Sequence, residues 1–351
     1  MMGRTRVTLA DVAAASGVSV TTASLVMTGR ARELRISEAA ERRVLSTAQE
    51  LGYRRGTVTQ SPAEGLSRTI GFVSDTVASS GLAGDMVKGA VDAAYARGFM
   101  LFVGESGGDP VVERDLVEAM RDRRADGIVF AAMYTRAVAV PDCLHHGPAV
   151  LLNAAAATRR DTPSVVSDEV RGGRSAAHVL VDAGHDSGVH LIGAGPGPYD
   201  VPPNSIAAVE RLLGLHEVFG SAGVEVVSAH RCPKWTPECG YDATRELLRH
   251  HLPKALVCFN DRLAFGAYQA LGEAGLSVPG DVSVIGFDDH PIASWMRPRL
   301  TTVALPHYEL GARAVAVLVE MVERRERRAR APMIHRVPMP VREGASVAPP
   351  H

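Results

Sequence analysis

From residue 69 onward, short apolar runs alternate with helix-length amphipathic segments, and the alternation restarts halfway. Strands are predicted at 70–73, 99–103, 127–131 and 150–152, with helices over 82–97 and 111–123 between them. The second round runs helix 172–183, strand 189–192, helix 206–221, strand 225–228, helix 241–250, strand 255–259, helix 262–274 and strand 283–286. Strands separated by helices must pair in parallel, which makes doubly wound sheets with helices on both faces. Two rounds predict two similar lobes whose strand carboxyl ends face a common cleft, the default place for a ligand. With 351 residues, 46% hydrophobic and 22% charged, the chain can build these cores without a disulfide or metal staple.

The first sixty residues follow another pattern. Thr8 and Asp11 stand at capping-box spacing, and Leu9, Val12 and Ala13 recur at helical spacing as far as Gly17, which predicts a helix over 9–16. Gly17-Val18-Ser19 reads as a tight turn, with Ser19 capping a second helix, 20–27, whose apolar face is Ala23, Val26 and Met27. Ser37 caps a third helix with the face Val44, Leu45, Ala48 and Leu51, stopped by Gly52. This is the plan of a helix-turn-helix, a small all-α domain whose second helix enters the DNA major groove. Val20, Thr21, Thr22 and Leu25 point away from the apolar face and are the candidates for base contact. Residues 1–68 carry ten Lys/Arg and six Asp/Glu, a net +4 on a chain whose total is −1. A polyanion partner for this module alone fits that asymmetry.

The strings TLADVAAASGVSVTTASLVMTGR and SEAAERRVLSTAQELGYRR resemble the headpiece of the LacI/GalR transcriptional regulators. The resemblance implies that Val20, Thr21 and Leu25 read bases, while Thr8, Ser19, Thr22 and Ser24 hold phosphates. Leu25 stands where many members carry a polar or basic reader, and Thr28 where asparagine is usual. An apolar Leu25 suits a thymine methyl and cannot hydrogen-bond guanine, which implies a different operator.

Residues 54–68, RRGTVTQSPAEGLSR, read as a linker. In the family this stretch becomes a short helix that drives a leucine into the minor groove, and here the aligned position is Pro62. Proline inside a helix costs about 3 kcal/mol. Ser61-Pro62-Ala63-Glu64 instead suits a helix start, with Pro62 or Leu66 as the wedge, and the other reading is an unstructured tether. The domains are therefore a headpiece at 1–53, a hinge at 54–68 and a ligand-binding and dimerisation region at 69–351. Within that region the first lobe takes about 69–165 and 305–334, the second about 166–304 and 335–345.

Several cleft residues follow from position alone. Asn260-Asp261 and Asp288-Asp289 directly follow predicted strands, where amides and carboxylates meet ligand hydroxyls. Arg211 lies early in helix 206–221, and Trp235 sits in the polar loop CPKWTPECG. FNDRLAFGAYQALGEAGLSVPGDVSVIGFDD and PRLTTVALPHYELGARAV also resemble LacI/GalR regulators, which share the periplasmic sugar-binding fold. The resemblance implies an effector site at Asn153, Arg211, Trp235, Asn260, Asp288 and His307. The loop DTVASSGLAGD lacks the aromatic pair that many sugar-binding members carry there.

Other chemistries are weaker. Gly104-Glu105-Ser106-Gly107-Gly108 fits the G-x-S-x-G elbow of α/β hydrolases, but Asp109-Pro110 starts the helix several residues after the serine. Gly193-Ala194-Gly195-Pro196-Gly197 is followed by prolines rather than by a helix N-terminus for a pyrophosphate. Cys143, Cys232, Cys239 and Cys258 form no C-x-x-C pair and suit a reducing compartment. No secretory signal and no membrane-length apolar run is seen, so a cytoplasmic protein is expected, with no cofactor, metal or catalytic residue. A chain without heptads after its last strand, near 335–341, implies a homodimer on a pseudo-palindromic operator. The expected function is a ligand-responsive DNA-binding repressor with a small sugar or polyol effector. A solute-binding protein of the same fold, or a hydrolase using Ser106, are the alternatives.

Overall fold

A computed structural model describes residues 7–27, 29–31, 36–53, 66–81, 83–157, 162–197, 200–324 and 333–350. It divides into two compact units, Met1–Ser67 and Arg68–His351. Pro62 and most of the predicted hinge lie outside the described residues, as does Thr28.

The first unit holds α1 (Leu9–Ser16), α2 (Val20–Met27) and α3 (Glu38–Glu50). The Thr8–Asp11 capping box forms, with the Thr8 amide and hydroxyl each donating to Asp11 Oδ2 at 2.7 Å. Gly17 ends α1 at φ 68°, a left-handed conformation in which a Cβ would be strained. The Ser19 hydroxyl then accepts from Thr22 N at 3.0 Å and starts α2. The two helices cross at 106°, within the range of helix-turn-helix pairs, about 90–120°. Val12, Ala13, Ala23, Val26, Ala31, Val44 and Ala48 form the core. The expected face of α3 is only partly right: Val44 and Ala48 are buried, whereas Leu45 is 46% and Leu51 39% exposed. Positions 44 and 48 share one helix face, and a three-helix core this small has room for one narrow stripe.

The second unit begins with β1 (Thr69–Ser74), α4 (Gly84–Ala96), β2 (Met100–Glu105), α5 (Pro110–Asp122), β3 (Gly127–Val138), β4 (Ala149–Ala156) and β5 (Ser164–Ser167). There follow α6 (Glu169–Asp182), β6 (Val189–Gly193), α7 (Ile206–Ala222), β7 (Val226–Arg231), α8 (Pro237–Leu248), β8 (Ala255–Cys258), α9 (Asp261–Glu273) and β9 (Ser283–Asp288). The unit closes with α10 (Pro291–Trp295), β10 (Thr301–Ala304), α11 (His307–Glu323), β11 (Ile334–Val337) and β12 (Val341–Arg342).

Two six-stranded sheets result, ordered β11-β5-β4-β3-β1-β2 and β12-β10-β9-β8-β6-β7. All their pairings are parallel except β10 with β12. The chain passes between lobes at Asp168, at Leu305-Pro306 and at Pro338–Pro340. The lobe boundaries expected at 165/166 and 334/335 need correction. The β5 strand runs to Ser167 in the first sheet, and β11 pairs with it there rather than joining the second lobe. One strand expected near 335–341 is in fact two. Pro338 and Pro340 have no N–H to give a ladder, so pairing stops and the chain crosses over.

Within each lobe the covering helices pack backbone to backbone through glycines. A Cβ on Gly173 of α6 would meet Arg211 O of α7, and one on Gly214 of α7 would meet Val170 O of α6. Gly240 and Gly266 do the same for α8 and α9, and Gly89 and Gly311 for α4 and α11.

Candidate functional site

In the first unit, α2 presents Val20, which is 51% exposed, and Thr21, also exposed. Thr22, Ser24 and Leu25 are half-buried along the same helix. Thr8 and Ser19 lie exposed at the N-termini of α1 and α2, and the hydroxyls of Ser19 and Thr22 are 2.8 Å apart. Ser19 and Thr22 share one bond between two hydroxyls, so one of their protons remains for a phosphate, whereas the Thr8 proton is donated to Asp11 and a phosphate would have to take it from there.

In the second unit, a cavity of about 350 Å³ lies between the lobes at the carboxyl ends of their strands. Asn153, Arg211, Trp235, Asn260, Asp288 and His307 all line it. The first lobe adds Met133, Tyr134 and Thr135. These come from β3, which was expected to stop at 131. It instead shifts register after Ala131 and resumes pairing with β4 at Arg136, and this irregularity carries the three residues to the cavity. Two cavity residues hold positive φ, Asn153 at 51° and Asp288 at 109°. Such conformations cost about 1–3 kcal/mol each and cluster where a site imposes them.

Arg211 is only 2% exposed. Its Nε donates to Glu169 Oε2 at 2.6 Å, Nη2 to Glu169 Oε1 at 3.4 Å and Nη1 to Phe259 O at 2.6 Å. Asp288 Oδ1 is farther away, 3.6 Å from Nη2. Burial alone would push the guanidinium pKa down, but Glu169 and then Asp288 outweigh it and hold the group above its ordinary value. Its plane also stacks 4.6 Å from the Phe287 ring centre. The dominant partner, Glu169, was not singled out from sequence. It opens α6 just after β5, and β5 itself was missed.

Asn260 is more structural than expected. Its Oδ1 caps α9 at Leu263 N, 2.8 Å, and its Nδ2 donates to Trp235 O at 3.2 Å. One amide hydrogen is left for a ligand. Trp235 donates from Nε1 to Gly193 O at 3.1 Å and sits 5.7 Å from the Phe259 ring, so it both packs the lobe and walls the cavity. Asp261 faces inward, accepting from Thr302 Oγ1 at 2.6 Å and His290 N at 2.8 Å. Asp289 pairs with Arg342 at 3.4 Å. His307 is 8% exposed, and neither ring nitrogen has a hydrogen-bond partner among the described residues. Burial holds its pKa below the ordinary value, which keeps the ring neutral. Arg262, in the first turn of α9, also lines the cavity, and its buried Nε has no partner among the described residues. Its place directly after the Asn260-Asp261 pair was the available sequence signal. Beside a neighbouring cavity, Arg336 of β11 and Glu210 of α7 join the lobes by two 2.7 Å bonds.

Burial pushes the Asp288 carboxyl up to about 6, against the pull of Arg211. A carboxyl whose folded pKa exceeds its unfolded one takes up a proton more readily when folded. Its charged form therefore costs stability at neutral pH, a cost relieved as pH falls through about 6. Asp288→Asn is expected to stabilise the unliganded protein at neutral pH by about 1–3 kcal/mol, with the gain shrinking as pH is lowered to 5. Melting temperatures across this range check it; a lower Tm for Asp288→Asn at neutral pH would mean that the Arg211 pairing dominates.

Ser106 does not form a nucleophile elbow. It is buried, its hydroxyl donates to Ser74 O at 3.1 Å, and α5 begins four residues later under an Asp109 cap.

Residues 8–56 match the lacI family of bacterial regulatory proteins, and residues 177–347 match the periplasmic binding protein-like domain. The ribose operon repressor of Escherichia coli (strain K12) is 30% identical over 319 residues, covering 90% of this chain and 93% of the repressor. The chain belongs to the LacI family. The fold of this LacI-family chain matches the crystal structure of the lac repressor dimer bound to operator and the anti-inducer ONPF. The TM-score is 0.79 at 24% identity, over 98% of this chain and all of that one. A LacI family transcriptional regulator from Enterococcus faecium with bound ribose matches with a TM-score of 0.63 at 24% identity, over 81% of this chain and all of that one.

Proposed function

We propose that this LacI-family regulator is a cytoplasmic repressor with no catalytic role. A homodimer binds double-stranded operator DNA through residues 1–68, and a small sugar-like or polyol effector between the lobes changes operator affinity. The observation that carries this reading is one chain holding both a helix-turn-helix and an interlobe cavity walled by polar groups without partners. A solute-binding protein has no use for the first feature.

In this reading Val20, Thr21 and Leu25 contact bases, while Thr8, Ser19, Thr22 and Ser24 hold phosphates. Pro62, outside the described residues, stands at the wedge position. Asn153, Arg211, Trp235, Asn260, Asp288 and His307 form the effector site, with Arg211 acting mainly as its rigid floor. A homodimer is supported by the exposed apolar edge of the first lobe. There β2 leaves Met100, Phe102 and Val103 exposed, next to Tyr95 of α4. A sheet edge of this kind is one that proteins normally cover.

The test is binding of full-length protein and of a fragment starting at Thr69 to operator selected from genomic fragments, over a range of salt. The full chain should bind with a steep salt dependence and the fragment should not bind, because the positive excess lies in residues 1–68. Equal binding by the fragment would overturn the assignment.

A further inference from the structure

The charges around the interlobe cavity do not balance. Its lining includes three cations, Arg211, Lys234 and Arg262, and two carboxylates, Glu169 and Asp288. Arg211 is committed to Glu169 and to Phe259 O. Asp288 lies 3.6 Å from Arg211 and also feels the charge of Arg262. Lys234 is exposed at the mouth and pairs with no carboxylate among the described residues. Arg262 is the more telling of the two. It makes no hydrogen bond among the described residues, and its Nε is shut off from solvent. Leaving a buried charged donor unbonded is costly, and such groups are normally satisfied. The second orphan is His307, more than nine-tenths buried, with both ring nitrogens unpartnered on the same cavity. A neutral imidazole offers one donor and one acceptor, which suits a hydroxyl.

We infer that the effector is a hydroxylated, monosaccharide-sized anion whose negative group binds Arg262 and whose hydroxyls meet His307 and Asp288. The inference rests on the interlobe cavity being the effector site and narrows what it takes. A neutral sugar would satisfy His307 but leave the Arg262 fork empty and the surplus positive charge uncompensated. The planar, five-donor guanidinium suits a carboxylate or phosphate, bound through two parallel bonds. The volume, about 350 Å³, is near the lower end of ligand pockets, roughly 300–1,000 Å³, which fits a single ring or open chain. Asp288 lines the same cavity, and its carboxylate oxygens can accept from ligand hydroxyls.

The experiment uses full-length protein and matched ligand sets at equal ionic strength. The sets are D-glucose with D-gluconate, D-glucuronate and D-glucose 6-phosphate, and D-ribose with D-ribonate and D-ribose 5-phosphate. Binding is read by calorimetry and thermal shift at neutral pH. In at least one set the anion should bind about tenfold or more tightly than its neutral parent. Arg262→Gln should erase that advantage without lowering the unliganded Tm, since the buried charge it removes has no partner to lose among the described residues. The carboxylate and phosphate arms separate the two sources of negative charge, and preference for either supports the proposal. It is overturned if the neutral parent binds as tightly as every anion of its set, if the preference survives Arg262→Gln, or if no member binds at millimolar concentration. Operator binding measured on the same samples separates the two claims. A neutral sugar that shifts operator affinity refutes the anion inference and leaves the repressor reading standing. A bound anion that shifts nothing refutes the repressor reading.

Discussion

Arg211→Ala is expected to destabilise the protein by about 3–5 kcal/mol, because it strips the cation from a buried carboxylate. Glu169 is 1% exposed and receives two of the guanidinium's hydrogen bonds. Without Arg211 no cation among the described residues stands within ion-pair distance of it, Arg336 acting only from farther away. For a unit of this size the loss corresponds to a fall in Tm of roughly 5–8 °C. The pair itself contributes little net stability, since desolvating both ions offsets most of their attraction. Replacing both together, as Arg211→Met with Glu169→Leu, should therefore lose far less than the single variant. Calorimetric melting of the two variants checks this. Equal losses would mean that Arg211 matters for packing alone. Loss of ligand response in Arg211→Ala cannot by itself assign Arg211 to the effector; Asp288→Asn is the cleaner probe.

Gly173→Ala should be strongly damaging although it adds a single methyl. Its Cβ would be driven into Arg211 O, and backbone cannot rotate aside as a side chain does. Overpacking a fitted contact costs about 1–3 kcal/mol and more where backbone must move. Here α6 and α7 would have to separate, and they carry Glu169 and Arg211. A loss of about 3 kcal/mol or more, with a Tm lower by several degrees, is expected. The control is Gly220→Ala in the last turn of α7, where a Cβ meets nothing within 4 Å. It should stabilise by about 0.5–1 kcal/mol through helix propensity. If both variants moved Tm in the same direction by the same amount, helix propensity rather than close approach would be the cause.

The features legible in the sequence are the local ones. Thr8 with Asp11, Gly17 and Ser19 specify caps and a turn within a few residues, and α1 and α2 form at their predicted positions. Repeated apolar runs announced two parallel sheets because long runs such as 189–192 are buried on both faces. The β5 strand, Ser164-Val165-Val166-Ser167, and the β10 strand, Thr301–Ala304, were missed. They are four residues long and half hydroxylic, and their burial depends on neighbours distant in sequence. The same limit hid the site's electrostatics. Position alone put Arg211 at the cleft, but its partner Glu169 lies 42 residues away, on a helix whose start was expected at 172. Asn260 was recognised as a cleft residue, while its role as the α9 cap needed the local geometry.

The central claim is that occupying the interlobe cavity changes the affinity of a helix-turn-helix for DNA. The direct measurement is operator Kd by fluorescence anisotropy on full-length protein, with and without a ligand shown by calorimetry to bind, in wild type and in Asp288→Asn. Coupling between two sites is typically about 1–3 kcal/mol, or roughly 5–150-fold. A wild-type shift in that range, reduced or abolished in Asp288→Asn at the same ligand concentration, is the predicted result. A ligand that binds the wild-type cavity while operator Kd stays constant at every concentration would contradict the account.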